Sequence, residues 1–83
     1  MLATNSNVKV HPILRLEERI AEFTSASGVH LTLDLESVTR TEGRILRYAV
    51  VMRRDGRMDI QNFDMTRYGA AFVHFEDLLA KLV

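Results

Sequence analysis

Apolar and polar positions alternate most cleanly over residues 29–36, where Val29, Leu31, Leu33 and Leu35 are separated by His30, Thr32, Asp34 and Glu36. A period of two is the mark of a strand with one buried face. The pattern repeats over 44–54 (RILRYAVVMRR), with Leu46, Tyr48, Val50 and Met52 on one side and Ile45, Arg47, Ala49, Val51 and Arg53 on the other. A third run, RMDIQNF at 57–63, sets Met58 and Ile60 against Asp59, Gln61 and Phe63. Between the first two runs TRTEG supplies a turn, with Gly43 as its flexible point.

Two stretches follow the helical period instead. In HPILRLEERIAEFTSASG, Ile13, Leu16, Ile20 and Phe23 recur at spacings of three and four, with Arg15, Glu18, Arg19 and Glu22 on the polar side. Pro12 suits a first helical position and Gly28 a stop. In TRYGAAFVHFEDLLAKLV, Tyr68, Phe72, Phe75, Leu79 and Leu82 form a stripe flanked by Ala71 and Leu78, and Asp64 or Thr66 is placed to cap it. The segment AFVHF taken alone also fits a strand. The expected order is α-β-β-β-α: an α+β domain over residues 11–83, built as a three-stranded antiparallel meander with two helices packed on one face. Residues 1–10 read as a polar N-terminal segment.

The loop between the second and third strands fixes which faces coincide. A two-residue Asp55-Gly56 turn pairs Arg54 with Arg57 and sets Met52 against Asp59 and Val50 against Gln61. A three-residue loop, Arg54-Asp55-Gly56, pairs Arg53 with Arg57 and joins Met52 to Met58 and Val50 to Ile60. Apolar agreement favours the second register. It places Arg47, Arg53, Arg57, Asp59, Gln61 and Phe63 on a face away from the helices, with Ile45, Ala49 and Val51 through its middle. The same surface is also open to a plainer reading, a solvated face laced with weak salt bridges.

Charge sharpens the picture. The 83-residue chain is formally neutral, yet residues 40–57 carry six arginines against Glu42 and Asp55, a local charge of +4 balanced by −4 elsewhere. Such asymmetry bears on association rather than on fold. A chain this short builds a thin core, and with no cysteine it has no disulfide to reinforce it, so dimerisation is one route to further burial. MLATNSNVKV does not match a secretory leader, and no run has the length of a membrane span, which makes the cytoplasm the expected compartment and leaves no membrane partner.

Catalytic chemistry finds no support. His11, His30 and His74 have no second ligand at metal spacing. Glu17 with Glu18, and Glu76 with Asp77, are helix-surface carboxylates on this reading, and TEGR and RDGR are turns rather than phosphate loops. Met52, Met58 and Met65 read as core filler. The expectation is a protein without enzymatic activity, metal or cofactor. The α-β-β-β-α order resembles that of double-stranded-RNA-binding domains in topology alone: the last helix opens TRYGAAF without a lysine cluster, and SVTRTEGR lacks a Gly-Pro-x-His element.

The expected function is therefore protein–protein interaction, regulatory or inhibitory, of the kind frequent among small accessory proteins of phages and mobile elements. The partner, a second copy included, would bind through Ile45, Arg47, Val51, Arg53, Arg57, Asp59 and Phe63. One alternative is nucleic-acid binding through Arg40, Arg44, Arg47, Arg53, Arg54 and Arg57. Another is a small ligand held between sheet and helices.

Overall fold

The computed structural model describes residues 13–83; the polar segment 1–10, with His11 and Pro12, lies outside the described residues. Four strands, β1 (Ile13–Thr24), β2 (His30–Arg40), β3 (Gly43–Arg54) and β4 (Arg57–Asp64), form one antiparallel meander in the order β1-β2-β3-β4. A single helix, α1 (Tyr68–Leu82), follows. The fold is α+β as expected, but with four strands and one helix in place of three strands and two. With the first helix gone, the topological likeness to double-stranded-RNA-binding domains goes too.

The lost helix is the informative error. Residues 13–24 pair with β2 along their length, but the register slips twice, leaving Glu17 and Ile20 without a partner opposite them. Each slip is a β-bulge, which adds a residue and switches the faces on which subsequent side chains lie. Two bulges three residues apart convert a period of two into spacings of three and four. Ile13, Leu16, Ile20 and Phe23 thus imitate a helical stripe while occupying different faces: Leu16 lies opposite Glu36, whereas Phe23 lies opposite Leu31. Ser25 closes the loop that follows, its hydroxyl accepting the Val29 N–H at 3.0 Å, and Gly28 (φ 92°) serves this turn rather than a helix end.

At the second turn the shorter loop wins. Arg54 pairs with Arg57, and Asp55 (φ 51°) and Gly56 (φ 76°) both take positive φ, the requirement of a type I′ hairpin. Val50 faces Gln61 and Met52 faces Asp59, the mixing of apolar and polar that had counted against this register. It is tolerated because β4 is an edge strand in which only Phe63 is buried. Gln61 and Asp59 reach water at the margin of the sheet. Met58 and Ile60, expected in the core, lie exposed on the opposite face.

The core lies between sheet and helix. Leu31, Leu33, Val50 and Phe63 from three strands meet Ala71 and Phe75, with Ile20, Ala21, Tyr48, Met52, Leu78, Leu79 and Leu82 around them. The helix contacts β2, β3 and β4. Fifteen residues of helix span about 22 Å, whereas the twelve of β3 span about 40 Å, so α1 covers only part of the sheet. Its start is not capped by a side chain. Arg67 occupies the cap position, and Asp64 instead organises the preceding turn through the Thr66 N–H (2.9 Å) and hydroxyl (2.6 Å). Tyr68 and Phe72, expected in the buried stripe, remain over a third exposed.

Candidate functional site

The face of the sheet that α1 does not cover is laid out by the pairing registers. Successive rows across it read Thr24-His30-Arg53-Met58, Glu22-Thr32-Val51-Ile60, Arg19-Asp34-Ala49-Asn62, Leu16-Glu36-Arg47-Asp64 and Leu14-Val38-Ile45. Apolar residues thus cluster toward both ends, with a charged band between them. Leu14 (53%), Leu16 (52%) and Ile45 (56%) are exposed at one end, Met58 (53%) and Ile60 (48%) at the other.

The middle band is internally neutralised. Arg19 Nε donates to Asp34 Oδ1 at 2.9 Å, and Thr32 donates its hydroxyl to the same carboxylate. Arg47 Nε donates to Glu36 Oε1 at 3.2 Å. His30 Nε2 lies 2.5 Å from Glu22 Oε2, and the hydrogen bond with His30 holds the Glu22 carboxyl below its ordinary pKa. Arg19 is pushed above its ordinary value, first by its hydrogen bond to Asp34. Glu17, the first bulged residue, accepts the Ser37 hydroxyl and the Arg44 guanidinium, in that order the main causes of its lowered pKa. At the bulge the Glu17 carboxylate meets two cross-strand partners, one on β2 and one on β3.

Of the seven residues expected to form the partner face, Ile45, Arg47, Val51 and Arg53 occupy it. Arg57, Asp59 and Phe63 do not: the type I′ register turns them to the helix side, where Phe63 is a core residue beneath His74 and Arg67. Leu14, Leu16, Met58 and Ile60 take their place. The first two were hidden by the helical reading of residues 13–24, the last two by the choice of loop. The six arginines of residues 40–57 do not converge either. Arg40, Arg44 and Arg47 lie toward the β2–β3 turn, the latter two already paired to carboxylates, while Arg53, Arg54 and Arg57 lie at the β3–β4 turn. Six to ten residues of strand separate the arginines of the two groups on β3, about 20–33 Å at 3.3 Å each.

Among the described residues no group of three or more His, Asp or Glu side chains is placed to hold a metal ion, and no helix is long and apolar enough to cross a membrane. Comparison with family models, with curated proteins and with solved structures found no match.

Proposed function

We propose that the protein is a small non-enzymatic interaction protein whose sheet face opposite α1 stacks on a second copy of itself. The observation that carries this reading is the set of five exposed apolar side chains, Leu14, Leu16, Ile45, Met58 and Ile60, on a face without a helix. They form two apolar patches, Leu14, Leu16 and Ile45 at one end of the face and Ile60 and Met58 at the other, each rimmed by polar groups as interaction surfaces are. Charge favours a like partner. The face carries Arg19, Arg47 and Arg53 against Glu22, Asp34, Glu36 and Asp64, so it is near neutral and does not repel its own copy. Antiparallel stacking of two such faces sets Leu14, Leu16 and Ile45 over Ile60 and Met58, and the neutral bands over each other.

Size is compatible. Four strands and five rows give a flat footprint of about 500 Å² from standard sheet spacings. Side-chain relief raises that toward the ~800 Å² each partner contributes to a standard interface. A regulatory or inhibitory role in the cytoplasm, carried out as a dimer, completes the proposal.

Sedimentation or light scattering of the full chain at tens of micromolar tests it. The expected result is a dimer that Ile45→Lys or Leu14→Lys converts to a monomer with unchanged circular dichroism. A monomer in the unsubstituted protein at that concentration overturns the proposal.

A further inference from the structure

The end of the sheet at the β3–β4 hairpin carries a cleft that shares His30, Arg53 and Met58 with the stacking face and continues past it around the hairpin tip. Gly28, His30, Arg53, Arg54, Asp55, Gly56, Arg57 and Met58 line an open cleft of about 480 Å³. Two smaller hollows share its walls, one with Ser27, Val29 and Arg54, the other with Arg54, Arg57 and Asp59. Three sheet arginines, Arg19, Arg44 and Arg47, each meet a carboxylate within 3.2 Å, whereas Arg15 and Arg40 stand apart from one another at other places in the sheet. Arg53, Arg54 and Arg57 form no ion pair among the described residues, and the one polar contact of Arg54 is a long one to the Met52 sulfur at 3.7 Å. Arg54 moreover stands directly opposite Arg57 in the ladder. Like charges in that relation are unfavourable, and an anion between them turns the repulsion into attraction.

We propose that this cleft binds a small ligand bearing a phosphoryl group, held by the guanidinium groups of Arg53, Arg54 and Arg57. The chemistry selects the ligand. Guanidinium forks match the oxygens of a phosphoryl group two at a time, and three of them on one hairpin suit a multiply charged anion better than a single carboxylate. Gly28 adds a wall without a side chain, which leaves room for a group to approach the loop backbone. The cleft volume lies in the range of small-molecule sites. A nucleic-acid strand is the poorer fit. Its backbone would need a continuous cationic track, and the next arginines along the chain, Arg47 and Arg44, are paired to Glu36 and Glu17. His30 is the one aromatic ring lining the cleft, and its Nε2 is already engaged by Glu22, so successive bases have no stacking platform there.

The test is titration of the full-length protein with inorganic phosphate and with pyrophosphate at constant ionic strength set by chloride, followed by amide and arginine Nε–H chemical shifts. A parallel arm uses a single-stranded oligonucleotide. Expected are saturable shifts confined to residues 28–30 and 53–58, tighter for pyrophosphate than for phosphate by about tenfold, and lost in Arg54→Ser/Arg57→Ser while Arg40→Ser/Arg44→Ser retains them. Shifts that do not saturate, or that survive Arg54→Ser/Arg57→Ser, overturn the proposal. So does oligonucleotide binding that outcompetes pyrophosphate and falls in Arg40→Ser/Arg44→Ser, which would assign the arginines to a nucleic-acid backbone. Ile45→Lys separates this proposal from the stacking one: as a monomer it leaves His30, Arg53 and Met58 uncovered and is expected to bind pyrophosphate at least as tightly as the unsubstituted protein does.

Discussion

Val50→Thr and Ile60→Thr separate the two hairpin registers in one experiment. Both substitutions keep a β-branched side chain, so strand preference is nearly constant. With a three-residue loop the two residues would sit side by side in the core and suffer alike. In the type I′ hairpin Val50 is 1% exposed beneath the helix, while Ile60 is 48% exposed on the other face, opposite Val51. Val50→Thr puts a hydroxyl of nearly unchanged volume into an apolar cluster of Leu31, Leu33, Phe63 and Phe75. Without a partner for that hydroxyl the loss is about 1–3 kcal/mol. Ile60→Thr leaves its hydroxyl in water, and a surface change of this kind stays within about 0.5 kcal/mol.

A domain of this size has about 4–12 kcal/mol in total, so the larger loss is readily measured. At an m-value near 1 kcal/mol/M in urea, Val50→Thr lowers the midpoint by about 1–3 M and Ile60→Thr by less than about 0.5 M. The melts belong at low micromolar protein, where a stacked dimer contributes least, and again at high concentration, where Ile60→Thr should lose the concentration-dependent part of the stability. If Ile60→Thr shifts the dilute midpoint as far as Val50→Thr does, the register described above is wrong and the composition of the stacking face falls with it.

The glycines give a second check on the backbone: Gly56→Ala, at φ 76°, should destabilise by about 1–2 kcal/mol, whereas Gly69→Ala, helical and with no atom within 4 Å of the added carbon, should stabilise by about 0.5–1 kcal/mol, both read from urea melts. Acid should weaken the fold. Glu17, Glu22 and Asp64 are held below their ordinary values of 4.5, 4.5 and 3.8, so the folded state binds fewer protons there; their contribution is complete above those values and is lost as pH falls through the lowered ones. Urea midpoints between pH 7 and pH 3 should therefore fall, and Glu17→Gln should flatten the fall; a midpoint that rises on acidification contradicts the assignment. Arg19→Met should leave the Asp34 carboxylate, whose side chain is 6% exposed, with the Thr32 hydroxyl as its remaining side-chain partner, at a loss of about 1–3 kcal/mol, and Arg19→Met/Asp34→Leu should recover most of it. A silent Arg19→Met would mean that Asp34 is better solvated than its place between Arg19 and Ala49 implies.

What was legible in the sequence was whatever a regular period could carry. The alternation from Val29 to Glu36 and from Arg44 to Arg54 gave β2 and β3 and the correct inner set of Leu31, Leu33, Tyr48, Val50 and Met52. The stripe from Tyr68 to Leu82 gave the helix. The misses share one cause, which is that period measures only how often a chain returns to a face. Two bulges in β1 reproduced the helical return without a helix, because an extra residue at Glu17 and at Ile20 resets the phase each time. The hairpin failed for a related reason. Matching apolar residues across β3 and β4 assumed that β4 contributes a full row to the core, whereas an edge strand beyond most of the helix needs only Phe63 there. Once the core makes no demand on Met58 and Ile60, local turn chemistry decides, and Asp-Gly prefers a type I′ turn.

That same turn changes what the arginines are for. A three-residue loop would have placed Arg53 and Arg57 side by side on the open sheet, among Ile45 and Val51, as the charged part of one interface. The two-residue turn places Arg53 on the open face and turns Arg54 and Arg57 to the other, so the hairpin tip is cationic on both sides and belongs to neither face alone. The stacking face gives up Arg57 together with Asp59 and gains Asp64, and it is near neutral, which is the condition for meeting its own copy. The tip keeps three guanidinium groups that form no ion pair among the described residues, in excess over the Asp55 and Asp59 carboxylates nearby, which is the condition for holding an anion. A single residue of loop length therefore moves Arg57 off the face that keeps Arg53, so that the two surfaces overlap only at His30, Arg53 and Met58. It also makes them testable apart, since Ile45→Lys addresses the first and Arg54→Ser/Arg57→Ser the second.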